Sequence, residues 1–155
     1  MIKKYGLLIL SFTVLIGMIT AVLSKDKIYD LISKGMQGQS TETEHFNAEK
    51  YVRDHFNYAE NRQDYQFTLL EFKSTGCTIC KQMEPILEEL KNWNAAKVNV
   101  LVVQIMNPDS QEMMKYFGIS AVPTHVLLDV NGSEIFRKYG FIPLHELENK
   151  VLLNL

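Results

Sequence analysis

Cys77 and Cys80 are the only cysteines in the chain, and they are separated by two residues in the stretch Ser74-Thr75-Gly76-Cys77-Thr78-Ile79-Cys80. Three chemistries use such a pair: a dithiol/disulfide couple, half of a metal site, or a structural staple. A structural zinc takes four ligands, so His45, His55, His125 and His145 would have to complete the set, and none of them forms a second paired spacing. A staple across so short a loop removes little entropy from the unfolded chain. Position favours the redox couple, because an apolar run of strand type, Gln66 to Phe72, leads into the pair and a helical stripe leads out of it.

That placement has a chemical consequence. The first turn of a helix presents unpaired backbone N–H groups and the positive end of the macrodipole, so the first cysteine of such a pair can titrate well below the free-thiol value of about 8.5. Cys77 is therefore the candidate nucleophile. Cys80, one turn inside, is the candidate resolving thiol, which attacks a mixed disulfide and releases the product.

The elements that must position these sulfurs follow from periodicity. Ile79, Met83, Ile86, Leu87 and Leu90 predict a helix over Cys77 to Trp93, and Val98 to Met106 is a second apolar run buried on both faces. Strand, crossover helix and strand make a right-handed βαβ unit. Pro108-Asp109 opens a helix that ends at Gly118, a C′ glycine. The runs "THVLLDV" and "SEIFRKY" form a hairpin through Asn131-Gly132, and Pro143 starts a last helix with Leu144, Leu147 and Val151 on one side. Upstream, Asn47 caps a helix carrying Ala48, Tyr51, Val52, Phe56 and Ala59.

At 155 residues, 46% of them hydrophobic and 22% charged, the chain has the composition of one globular domain. Tyr5 to Leu23 carries no charge, with Lys3-Lys4 before it and Lys25-Asp26-Lys27 after it. At about 1.5 Å per residue this run nearly matches a hydrocarbon core of about 30 Å. Poor small-x-small sites favour an uncleaved anchor over a cleaved secretory signal, and the two lysines hold the N-terminus inside, so the body lies on the extracytoplasmic side in either case. The expected organisation is a transmembrane segment at 1–24, a Gly/Ser/Thr/Gln-rich linker at 25–45 with a short helical continuation over Lys27 to Ser33, and a folded domain at 46–155. Setting Lys3 and Lys4 aside leaves 14 basic against 18 acidic residues, a net −4, which offers nothing to nucleic acid.

Gln66 to Leu155 resembles a thioredoxin. The matching features are "LLEF" before the cysteines, C-x-x-C-K-x-M-x-P ending at Pro85, "YFGISAVPT", "DVNG", and "YGF" before the last helix, in family order and spacing. The resemblance implies an α/β thioredoxin-like fold, a central mixed sheet flanked by helices, here behind one N-terminal transmembrane helix. It implies a cis Val122-Pro123 peptide beside the cysteines, with Val122, Pro123, Gly76, Thr78 and Ile79 meeting an extended substrate. It also places Glu71 where the family carries a buried aspartate that takes the proton of the second cysteine, here Cys80. Departures are Lys73 for an aromatic, Gly76 for a tryptophan, Gln104 for a lysine near the carboxylate, and no evident extra first strand. His125 reads as a satisfied structural histidine.

The expected activity is protein thiol-disulfide exchange, in the reducing direction, with no cofactor beyond the Cys77–Cys80 disulfide. Partners are protein thiols and disulfides, a membrane thiol-electron transporter and, through the N-terminal helix, the membrane. Thr78-Ile79 matches neither the Gly-Pro of cytosolic reductants nor the Pro-His of strong oxidants, and Val122 is of a kind seen before the cis-proline in oxidants. The alternatives are a disulfide-forming oxidant of the same fold, a redox-inactive adaptor and a metal-handling protein.

Overall fold

Strand β1 (Phe67–Lys73) lies in the middle of a four-stranded sheet of order β2-β1-β3-β4. In the computed structural model, which describes residues 2–155 and their side chains from Ile9 onward, β1 pairs in parallel with β2 (Val98–Gln104) and antiparallel with β3 (Thr124–Leu128). Antiparallel β4 (Glu134–Tyr139) completes the sheet. Among the described residues no strand precedes β1.

Alternation along β1 assigns its two faces. Phe67 and Leu69 meet Met83, Leu87 and Leu90 of helix α5 (Thr78–Lys91) and Leu147 and Val151 of α7 (Leu144–Leu152). Leu70 and Phe72 meet Val52 and Phe56 of α3 (Glu42–Phe56) together with Phe117 and Ile119, which follow α6 (Gln111–Tyr116). A short α4 (Tyr58–Asn61) closes the lower end, where the Tyr58 hydroxyl lies 2.6 Å from Thr68 Oγ1. The α/β thioredoxin-like architecture, with a mixed sheet between helices, is thus present.

Several local expectations shift. Helix α3 starts five residues before Asn47, because Thr41 caps it through a reciprocal box: Glu44 N–H donates to Thr41 Oγ1 and Thr41 N–H donates to the Glu44 carboxylate. The helix expected from Pro108 begins as a single 3-10 turn, Pro108–Ser110, before α6. The hairpin is closed by a loop around Asp129, whose Oδ1 accepts from Asn131 N–H and Ser133 N–H, rather than by Asn131-Gly132 alone.

The main departure lies at the N-terminal end. The segment read as a linker is helical over α2 (Lys25–Gln37), and α2 is docked on the sheet's β4 edge. Ser33 is buried and donates to Phe117 O while accepting from Arg137 Nη1 at 3.0 Å. Tyr139 donates to Asp30 Oδ1, Gln37 Nε2 donates to Tyr116 O, and the Tyr29 and Tyr139 rings sit 5.0 Å apart. Polar contacts rather than an apolar stripe hold this helix, which is why composition suggests a linker.

Helix α1 (Ile2–Leu23) precedes α2, with Phe12, Ile16, Ile19 and Leu23 exposed. The side chains of Lys3, Lys4 and the first residues of the Tyr5–Leu23 run lie outside the described residues. Among those described, no single helix is long and apolar enough to cross a membrane; Ile9–Leu23 and Lys25–Gln37, bent by 57°, reach that length and hydropathy only together.

Gly118 permits the docking of α2. Its φ is +59°, and a Cβ there would stand 2.3 Å from Ser33 O and 2.6 Å from Ser33 Oγ. Gly118→Ala is therefore expected to lose about 1–2 kcal/mol from backbone conformation alone and to push α2 off the sheet. Hydrogen exchange across Tyr29 to Gln37 should accelerate in that variant while exchange in β1 and β3 stays slow.

Candidate active site

The chain leaves β1 at Lys73, turns through Gly76 at φ +80° and enters α5 with Cys77 as its N-cap. Only a glycine takes that turn without strain, and it stands where the thioredoxin resemblance places a tryptophan. Cys77 Sγ accepts from Cys80 N–H at 3.1 Å, the bond an N-cap oxygen would otherwise make. Cys77 and Cys80 are joined in a disulfide with Cα atoms 5.3 Å apart. Cys77 is half-buried and Cys80 is 2% exposed, so an incoming thiolate can approach only the first sulfur. Pro85, inside α5, lacks the N–H that would bond the Lys81 carbonyl one turn back.

The strand partner of this corner is the start of β3. Val122–Pro123 is cis, and Thr124 pairs with Phe72 at the end of β1, which sets the cis-proline segment beside the turn carrying Cys77. Pro123 is buried and its carbonyl accepts from Gly140 N–H at 2.8 Å, while Thr124 Oγ1 donates to Ala121 O. Val122 is half-buried; Gly76, Thr78 and Ile79 are exposed. Phe141, next to the glycine that holds Pro123, is also exposed and adds an apolar side chain to this face. In the sequence its only signal is the "YGF" run, where it directly follows that glycine.

Glu71 is 0% exposed, and neither carboxyl oxygen has a hydrogen-bond partner among the described residues. Alternation puts it on the α5 side of the sheet with Leu69, the side on which α5 buries Cys80 and Met83. Burial, the main influence, pushes its pKa up to about 7, opposed by Lys73 and reinforced by Glu84. The register corrects the reading of Gln104: that residue pairs with Lys73, while Glu71 faces Val102. The nearby cation is Lys73 itself, two residues on along the same face and ion-paired to Glu84 at 2.9 Å.

His125 also departs from its reading as satisfied. It pairs with Glu71 across β1 and β3, its Nε2 is 3.8 Å from Glu71 Oε1, both side chains are 0% exposed, and neither ring nitrogen has a hydrogen-bond partner among the described residues. Burial drives its pKa down to about 4, opposed by the Lys138 backbone, which approaches the ring as a hydrogen-bond partner without reaching ordinary bond geometry. The other histidines are elsewhere: His45 and His55 lie on α3 against Tyr116 and Tyr51, and His145 is exposed on α7. Among the described residues no group of three or more His, Cys, Asp or Glu is arranged to hold a metal ion.

Comparison with known proteins settles the family. The family model described as a thioredoxin-like domain matches residues 52–152. The chain belongs to the thioredoxin-like family. A thioredoxin of Haemophilus influenzae is 33% identical over 81 residues, covering 52% of this chain and 73% of that one. A Bacillus subtilis thioredoxin is 31% identical over 87 residues, 54% of this chain and 81% of its own. The chloroplast thioredoxin-like protein HCF164 of Arabidopsis thaliana is 24% identical over 94 residues, which cover 61% of this chain and only 36% of that protein. Among solved structures, a Chlorobium tepidum protein described as a thiol:disulfide interchange protein, DsbE, aligns with a TM-score of 0.53 at 20% identity, over 61% of this chain and 83% of its own. Thioredoxin-2 of the malaria parasite aligns with a TM-score of 0.52 at 20% identity, over 59% and 85%. These structures share the fold. Family and C-x-x-C pair together make the protein a thiol-disulfide oxidoreductase.

The buried carboxyl gives stability a definite pH dependence. Below pH 4.5 Glu71 is protonated whether the chain is folded or not; as pH rises to about 7 the unfolded chain ionises first, so folding loses free energy across that window. At about 1.36 kcal/mol per unit the loss is about 3 kcal/mol. Because buried His125, held at about 4, gains stability over much of the same window, the loss is read as a difference between proteins: in urea titrations of the oxidised forms, wild type should lose about 3 kcal/mol relative to Glu71→Gln, which cannot ionise, between pH 4.5 and pH 8.

Proposed function

We propose that this protein is a membrane-tethered, extracytoplasmic thioredoxin-like reductase of protein disulfides. The observation that carries the chemistry is the Cys77–Cys80 pair at the N-terminus of α5, one sulfur reachable and one buried, beside a cis-proline segment. In the reduced protein, Cys77 thiolate attacks a substrate disulfide and forms a mixed disulfide, releasing one substrate thiolate. Glu71 then takes the Cys80 proton through water, and Cys80 sulfur attacks Cys77 sulfur, expelling the second substrate thiolate. The products are a substrate dithiol and the Cys77–Cys80 disulfide, so two electrons have moved to the substrate. Val122 offers its backbone to an extended segment of the substrate, and Pro123 keeps that strand end in place. Gly76, Thr78 and Ile79, with Phe141, form the docking surface, where absence of a tryptophan leaves room above Cys77.

Support for the tether is the uncharged Tyr5 to Leu23 run behind Lys3-Lys4 and the exposed apolar side chains of α1. Support for the reducing direction is the likeness of "GCTICKQMEPILEEL" and "VPTHVLLDVNGSEIFRKYGF" to small exported thioredoxins that a membrane thiol transporter recharges, as in cytochrome c maturation.

Direction is testable by equilibrating the full chain with dithiothreitol. A potential near about −270 mV is expected, and one near about −120 mV would make the protein an oxidant. Location and residue roles are tested together in cells. Cys80→Ser should accumulate mixed disulfides in the carbonate-resistant membrane fraction, carrying exported proteins; Cys77→Ser should accumulate none. Captured cytoplasmic proteins would overturn the extracytoplasmic placement.

A further inference from the structure

Among its buried residues, the face of the sheet under α5 is apolar except at one place. Leu69 of β1 and Leu127 of β3 both belong to the cluster beneath α5 and α7, and each is fully buried. One pleat nearer the disulfide end, the same two strands carry Glu71 and His125, paired directly across the ladder and fully buried. Packing alone would be served there by another aliphatic residue. A polar group buried without a partner is costly, and here a carboxyl and a ring that make no hydrogen bond of ordinary geometry, the ring having only the Lys138 backbone close by, stand within 3.8 Å of each other. That distance is beyond a hydrogen bond, and closing it by about 1 Å makes one.

We propose that His125 is a positioning residue for Glu71, donating its Nε2–H to Glu71 Oε1 and so setting the pH at which the carboxyl can take the proton of Cys80. The inference rests on the reductase mechanism above and adds to it a residue from a different strand. Oε1 accepts from the ring in both states of the carboxyl, while Oε2 carries the proton that arrives from Cys80. The S–H bond breaks, an O–H bond forms, and the thiolate is free to attack Cys77. A carboxylate accepts more strongly than a carboxylic acid, so the ring favours the ionised form and keeps a proton acceptor present in a site whose burial opposes one.

Other charged groups reach this layer from each neighbouring element. Lys73 of β1 pairs with Glu84 of α5, and Lys138, opposite His125 in the β3–β4 ladder, pairs with Glu146 of α7 at 3.4 Å. Lys73 favours the carboxylate, and both lysines are already engaged by carboxylates of their own. His125 is the one neutral donor facing Glu71 in the strand register.

The test follows the Glu71 carboxyl by carbon NMR in the oxidised full chain, together with the pH–rate profile of insulin-disulfide reduction. His125→Leu is expected to raise both midpoints by about one unit, and His125→Gln, which restores a neutral donor, to return them toward wild type. Identical midpoints in His125→Leu and wild type would overturn the inference, whatever happens to urea stability, because a merely structural histidine changes stability without moving them. If His125→Leu fails to fold, nitrogen shifts of the wild-type ring decide: a ring signal that moves as Glu71 titrates supports the pair, and one that does not move overturns it. The two claims separate when wild-type turnover is set beside the His125→Leu titration. Turnover with a Glu71 titration indifferent to His125 removes only this inference, whereas no turnover removes the reductase reading itself.

Discussion

The register of β1 is the constraint on which the redox end depends. β1 is hydrogen-bonded along both edges, Phe67 opposite Val98 on one side and Phe72 opposite Thr124 on the other. Because side chains alternate strictly, a slip by one residue would turn Glu71 to the α3 face and expel Phe67 and Leu69 from beneath α5. Two apolar clusters, one on each face, oppose such a slip. The same pairing delivers the end of β1 and the start of β3 to one corner of the sheet. Cys77 leaves from the first, and cis-Pro123 enters the second. Their proximity is a property of the ladder and needs no contact between the loops.

Within that corner the fold accepts a loss of stability to bury a carboxyl and an imidazole. Apolar residues at 71 and 125 would pack against Leu69 and Leu127 without unpaired polar atoms. Glu71 and His125 instead leave four such atoms in the described structure. In the proposed mechanism a carboxyl raised to about 7 is poised near the pH at which thiols exchange. Cys77 faces the opposite demand. Its sulfur already accepts the Cys80 N–H and sits at the positive end of α5, an arrangement that favours a thiolate. In the proposed mechanism one cysteine is stabilised as an anion by backbone and dipole, and the other is served by a buried base. The separation of roles follows from which sulfur caps the helix and which lies one turn inside it.

What the sequence disclosed and what it withheld divide along the range of the interactions. The C-x-x-C pair, the strand before it, the α5 stripe, the glycine after Tyr116-Phe117 and the proline before α7 are local patterns with local causes, and each lies where its spacing places it. Thr41-x-x-Glu44 was an equally local signal for the start of α3, eclipsed by the periodicity centred on Ala48. His125 was not legible, because its partner is 54 residues away and only the β1–β3 register brings them together. Gln104 was misplaced for the same reason, by an offset of two in the β1–β2 register. Helix α2 was hidden differently. It docks through Asp30, Ser33 and Gln37, residue types that in composition read as a linker, and its contact exists because Gly118 leaves room for it.

That docking changes how a tether would act. A flexible linker lets a domain sample a volume, and its effective concentration at a membrane partner falls with linker length. Helix α2 instead runs from Lys25, next to α1, straight onto β4 and α6, with Ser24 alone between the two helices. If α1 lies in a bilayer as proposed, the domain stands at a fixed height and orientation. The sulfurs, at the far end of β1 from α4, then face one direction only. A membrane partner must present its thiols to that face, whereas a soluble substrate can approach it freely. Rigid attachment therefore selects among partners by geometry before any side chain at Ile79 or Phe141 is touched.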